Sequence, residues 1–212
     1  MQIDQGGDRI NDLRLILSRV AYAASLFDEN GISIRFMNTL RQKFERGDGT
    51  FEDDDVKSQE HVERLMKKVN FSGLTPMGTQ LRAKVIEPLV VGPARNNQLQ
   101  KPVLIIAITD GQPAGEPQGA VFDAIRYAST ELSRNPRYGQ GAVSFEFAQV
   151  GDDLKATEFL GKLDTDPSIG HMVDCTSSKL AATLLLEEAR LNAFQTSRQS
   201  KMRCLALSHP ST

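Results

Sequence analysis

KPVLIIAITDGQPAGEP, residues 101–117, drives an apolar run from Val103 to Ile108 directly into Thr109, Asp110 and Gly111. A run this short, apolar and rich in β-branched residues reads as a strand buried on both faces. Its end carries a carboxylate. In sheets of the α/β class, ligands bind beyond the carboxyl ends of the strands, where the topology switches direction. Asp110 therefore stands where such folds keep their sites. Asp followed by Gly is also a turn signal, so the tripeptide alone leaves a structural and a functional reading open.

Outward from this strand the hydrophobic period changes repeatedly. Upstream, Ile10, Leu13, Ile16, Leu17, Val20, Ala21, Ala24 and Phe27 recur at three- and four-residue steps, which predicts an amphipathic helix over Arg9 to Phe27, ended by Asn30 and Gly31. GISIRFMN predicts a strand at Ile32 to Met37. The polar stretch TLRQKFERGDGTFEDDDVKS reads as a surface excursion, and helical spacing returns at Val62, Leu65, Met66 and Val69 and again from Thr79 to Leu89. Downstream come a helix over Ala120 to Ser133, a strand in GAVSFEFAQVG, a helix over Leu154 to Leu163 and a short strand in GHMVDC. Alternating helices and strands predict an α/β fold with a mostly parallel sheet and helices on both faces.

With 212 residues, 40% hydrophobic and 25% charged, the chain suits one sizeable core. Twenty-five Lys plus Arg against 27 Asp plus Glu leave a net charge of -2, which offers no electrostatic footprint for nucleic acid or a membrane surface. Cys175 and Cys204 cannot form a disulfide framework and suit a reducing compartment. MQIDQGGDRI has no basic segment followed by an apolar one, so the chain as it stands reads as cytoplasmic.

A second stretch bears on Asp110. FSGLTPMGTQL, residues 71–81, places two Gly, two Thr and a Pro in a loop that opens a helix, with Thr75 and Thr79 as helix caps or hydroxyl ligands. Together, GDRINDLRLILSRVAYAASLFDENGISIRFMN, FSGLTPMGTQLR, KPVLIIAITDGQPAGEP, VFDAIRYA and AVSFEFAQVGDDLKATEFLGKLD resemble the von Willebrand factor type A domain family, and more closely its cytoplasmic-type members found in fungi. The resemblance implies a Rossmann-like, doubly wound sheet of order 3-2-1-4-5-6 over residues 1–176. It also implies a metal-ion-dependent adhesion site built from an Asp-x-Ser-x-Ser motif after the first strand, a Thr in the second loop and an Asp after the fourth strand. Thr75 matches the second element and Asp110 the third.

The match is incomplete. The first strand and its serine motif would precede Met1, so two of five ligand residues are present and the central strand is expected to be missing. Asp4 would have to substitute from a short terminus at an entropic cost. Two apolar strands would then lack their shared neighbour and leave an open edge. Residues 177–212 are expected to form a C-terminal helix, with an apolar face at Leu180, Leu184, Leu191 and Phe194, followed by a basic, disordered tail.

The resemblance implies a noncatalytic protein-interaction domain that holds Mg²⁺, or another divalent cation, where a partner's acidic residue completes the metal shell; without the full ligand set no cofactor is implied. A metal-free scaffold, the remnant of a truncated gene, and a Mg²⁺-dependent phosphotransfer enzyme are the competing readings. Other motifs carry less. Arg46–Gly47–Asp48 forms an adhesion-type tripeptide that also arises by chance, and Glu52–Asp55 reads as a solvated turn without the spacing of a calcium loop. GQGAVS precedes a strand where a dinucleotide loop follows one, His61, His171 and His209 lack metal-ligand spacing, and Cys175 reads as a small buried residue.

Overall fold

The computed structural model describes residues 5–26, 28–177 and 201–206. Helix α1 (Gln5–Ser25) leads to strand β1 (Ser33–Phe36) and helix α2 (Gln59–Lys68). Helix α3 (Met77–Leu81) runs on as a π-helix (Arg82–Val91) and ends in α4 (Gly92–Arg95). Then follow β2 (Val103–Thr109), α5 (Ala120–Ser133), β3 (Val143–Gln149), α6 (Leu154–Asp164), β4 (Val173–Ser177) and β5 (Lys201–Ala206). The π-helix contains Pro88, which has no N–H to donate, and the Gly92 N–H bonds five residues back to the Glu87 carbonyl.

The five strands form one sheet in the order β1-β5-β2-β3-β4, and every neighbouring pair is parallel. Successive residues of β2 serve opposite faces, as the pleat requires. Ile105 and Ala107 join a core with Phe145 and Phe147 of β3, Ile125 of α5 and Leu160 of α6. Ile106 and Ile108 join the other core, with Leu13 and Leu17 of α1 and Leu65 of α2. Covering both faces explains why β2 reads as a continuous apolar run instead of an alternating one.

The central position expected to stand empty is filled by β5, the last described strand in sequence and not the first strand that the resemblance would place there. Its residues pair with β1, Ser33 opposite Arg203 through Phe36 opposite Ala206, and with β2, Val103 opposite Lys201 through Ile108 opposite Ala206. Lys201–Ala206 also lies inside the segment expected to be a disordered tail, and that expectation fails for these residues. The cause is hydrogen bonding. Two buried strand edges facing each other carry donors and acceptors that water cannot reach, and a segment able to satisfy both gains a full ladder on each side. The helix expected at 180–194 lies outside the described residues.

The outer edge of β1 is closed by the long excursion after it. Ile32 and Val56 exchange backbone bonds of 2.9 and 2.8 Å in antiparallel fashion, and the Ile34 N–H donates to the Asp53 carbonyl at 2.7 Å. This brings Asp53 and Asp54 to Arg35, a strand residue only 2% exposed. The Arg35 guanidinium reaches Asp53 Oδ2 at 3.0 Å and Asp54 Oδ1 at 2.6 Å, and Arg41 joins both carboxylates from outside. Glu52–Asp55 is thus not the solvated turn expected from composition, since a buried guanidinium within a strand requires carboxylates beside it. Burial pushes the Asp53 pKa up despite Arg35 and Arg41; at Asp54 burial also pushes upward, but those guanidinium groups outweigh it and the net shift is downward.

No helix among the described residues is long and apolar enough to cross a membrane.

Two measurements check this architecture. A chain ending at residue 200 is expected to lose cooperative thermal unfolding and to run as aggregate on size exclusion; a monomer melting like the intact protein would show β5 to be dispensable. Arg35→Met leaves the buried Asp53 with only the more exposed Arg41 beside it and is expected to cost about 3 kcal/mol in denaturant unfolding, the lower end for broken buried pairs.

Candidate functional site

Parallel strands place their carboxyl ends on one side, and here that side gathers loops from β1, β2 and β3 together with the first turns of α1. Asp110 follows β2 directly and is 3% exposed. The turn that carries it is closed by Thr109, whose hydroxyl donates to the Gly111 carbonyl at 2.8 Å and accepts the Gly111 N–H at 3.3 Å. The carboxylate points at Arg9 of α1, with Nη1 3.5 Å from Oδ2.

Arg9 is seated from a second direction. Gly151, just past β3, has φ +83°, and a Cβ built there would come 3.1 Å from Arg9 Nε and 3.7 Å from Cζ. The guanidinium therefore lies over bare backbone. Its position bridges the ends of β2 and β3, which are themselves joined by the Val150 N–H donating to the Thr109 carbonyl at 2.8 Å.

Thr75 lies in the loop before α3 and is also buried. Its carbonyl accepts the N–H of Ala114 at 2.9 Å, which ties this loop to the one that follows Asp110. Three further contacts hold the pair of loops. Asn38, after β1, donates from Nδ2 to the carbonyls of Ser72 and Leu74, both at 2.9 Å. Glu116 accepts the N–H groups of Gly78 and Thr79 at 2.9 and 2.8 Å, satisfying orphan donors at the start of α3. Lys84 donates to the carbonyls of Phe36, Met37 and Thr39 at 2.9, 2.6 and 3.1 Å, which closes the end of β1. Burial pulls the Lys84 pKa down, with Asp53 acting in the opposite direction.

Gly78 is where close approach demands glycine. A Cβ at this position would sit 2.3 Å from the Ala120 carbonyl carbon and the Val121 nitrogen, so α3 begins directly against the start of α5. Beside α5 an open cleft of about 310 Å³ lies between the Gln112–Val121 loop and α6, floored by Phe122 and Phe159 in edge-to-face contact and flanked by Lys155 and Lys162.

Neither a family model, nor a curated protein, nor a solved structure matches this chain. Function must be argued from the site itself.

Both residues singled out from sequence, Thr75 and Asp110, fall at this end of the sheet on loops bonded to each other. Arg9, Asn38, Glu116 and Gly151 were not singled out. Arg9 reads in sequence as one more polar residue on an amphipathic helix, and only the fold brings it across 101 positions to Asp110.

Mg²⁺ needs several converging oxygens in near-octahedral array, and the described residues alone do not supply them. Asp110 has a guanidinium 3.5 Å from its carboxylate, and among the described residues no group of three His, Cys, Asp or Glu side chains could hold a metal. The remaining motifs are tied into structure. His61 Nε2 lies 2.8 Å from the Glu52 carbonyl, and Asp48 accepts the Thr50 N–H at 2.9 Å within its own turn. Burial, followed by the carboxylates of Asp164, Glu146 and Asp174, pushes the Cys175 thiol up to about 12, so it stays protonated at neutral pH.

Glu116→Ala removes both acceptors from the start of α3. It is expected to cost about 0.5–2 kcal/mol, the usual value of a lost helix cap. Amide hydrogen exchange should quicken at Gly78 and Thr79 while β2 stays protected; unchanged exchange there would mean the carboxylate holds nothing.

Proposed function

We propose that this chain is a noncatalytic protein–protein interaction domain of the von Willebrand factor A kind, which engages its partner with the loops around Thr75 and Asp110. The observation that carries this reading is the strand order. β1, β2, β3 and β4 stand in the relative positions that the resemblance implies for strands two, four, five and six, which supports the reading, while the central place given there to the first strand is held by β5, the last described strand in sequence. Asp110 then stands at the middle of the sheet's loop end, where doubly wound sheets bind ligands. Loops held by Asn38, Ala114 and Glu116 form a pre-organised surface, and a surface ordered before binding loses less entropy on association.

A Mg²⁺-dependent phosphotransfer enzyme is less well supported. Such chemistry relies on metal-bound carboxylates and a cradle of backbone N–H groups for phosphate. Asp110 is paired with Arg9, and the N–H groups of Gly78 and Thr79 that open α3 are taken by Glu116. The proposal includes a reducing, cytoplasmic setting, which the free thiol of Cys175 supports.

Affinity capture from source cells with the intact chain tests the reading, using Asp110→Asn and Thr75→Val against Lys67→Ala on exposed α2. A protein retained by wild type and Lys67→Ala, then shown with purified components to bind about tenfold or more weakly to both loop variants, is the expected result. Equal binding by all four proteins would move the contact away from this end, and an Asp110-dependent turnover of phosphate esters would replace the proposal with the enzyme.

A further inference from the structure

The misfit between this site and a divalent cation has a structural cause, and that cause has a role of its own. A carboxylate as buried as Asp110 is costly to keep ionised unless a positive charge or hydrogen-bond donors stand beside it. In an adhesion site of the kind the resemblance implies, the metal supplies that charge. Here the Arg9 guanidinium stands 3.5 Å from the carboxylate, within ion-pair range. The side chain is anchored in α1, whose core face is fixed by Leu13 and Leu17, both fully buried. Gly151 gives the guanidinium room, since a Cβ there would stand 3.1 Å from Arg9 Nε and press it aside by a few tenths of an ångström, and its φ of +83° favours glycine for a second, independent reason. Two separate elements, a helix and a strand exit, thus agree on placing one cation at one carboxylate.

We infer that Arg9 is the built-in cation of the Asp110 site, so that this end of the sheet works without a divalent metal and excludes one. A guanidinium in salt-bridge range of the carboxylate and a metal bound to it would repel each other at close quarters in a partly desolvated setting, where screening is weak. Arg cannot lose its proton to make room. The metal could enter only by displacing Arg9 from its seat on Gly151. This inference rests on the reading of the loop end as the binding end, but its test requires no partner.

The experiment titrates Mn²⁺ into the full chain by calorimetry and follows thermal melting with Mn²⁺ and with chelator. Wild type is expected to show no saturable binding and no shift in either condition. Arg9→Gln, which keeps polarity but not the charge, should melt lower and gain weak Mn²⁺ binding, about tenfold or more above wild type but far below that of a full octahedral ligand set, with its melting raised by Mn²⁺. That gain should vanish in Arg9→Gln/Asp110→Asn, and Arg9→Lys should behave as wild type toward Mn²⁺. Saturable Mn²⁺ binding by wild type that is lost in Asp110→Asn overturns the inference, as does an Arg9→Gln protein that folds and stays indifferent to Mn²⁺. Should Arg9→Gln fail to fold, the wild-type and Asp110→Asn titrations decide it alone. Failure of partner capture with these metal results intact would count against the interaction reading and leave the role of Arg9 standing.

Discussion

Everything in this molecule is arranged around the need of β2 for a neighbour on each side. The strand is buried on both faces, so its backbone N–H and C=O groups have no access to water and must be paired along both edges. One edge is met by β3 across seven registered positions, from Val103 to Thr109. The other is met by β5, which comes last in the chain and also serves β1. A strand drawn from the far end of the sequence creates contacts of high sequence separation, which are entropically slow to form but complete the sheet once made.

That completed sheet is what turns scattered polar residues into a surface. Parallel pairing aligns the exits of β1, β2 and β3, and the exits of β1 and β2 supply the contacts that hold the loops. Asn38 grips the carbonyls of Ser72 and Leu74, Ala114 grips Thr75, and Glu116 covers the first N–H groups of α3. These bonds address backbone groups, and so they fix loop shape without specifying the exposed side chains. The arrangement suits a binding surface, where order before contact improves affinity.

Charge burial follows one rule at two places in the sheet. Arg35 within β1 is matched by Asp53 and Asp54, and Asp110 beyond β2 is matched by Arg9. In each case desolvation makes an unpaired ion costly, and the partner comes from an element distant in sequence. The Arg35 cluster lies beside an edge that loop 53–56 closes, and its charges hold that loop in place. The Asp110 pair lies at the loop end and leaves the guanidinium partly accessible.

Sequence alone determined the elements that depend on local period and local turns. The run Val103–Ile108, the helical spacing from Ile10 onward, and the punctuation around Thr75 and Asp110 each appear in the structure close to where they were read, because hydrophobic period and Gly or Pro chemistry act over a few residues. Placement of Thr75 and Asp110 at one end followed from the strand–helix alternation. The tertiary structure alone decided which segment became the central strand and which ions paired. KMRCLA reads as a basic tail until two facing strand edges offer it a ladder, EDDD reads as solvated until Arg35 is buried beside it, and Arg9 reads as a surface charge until Gly151 and Asp110 converge on it. Such pairings depend on groups scores of residues apart, and the free energy that selects them, satisfaction of buried hydrogen bonds and charges, exists only after the chain has excluded water.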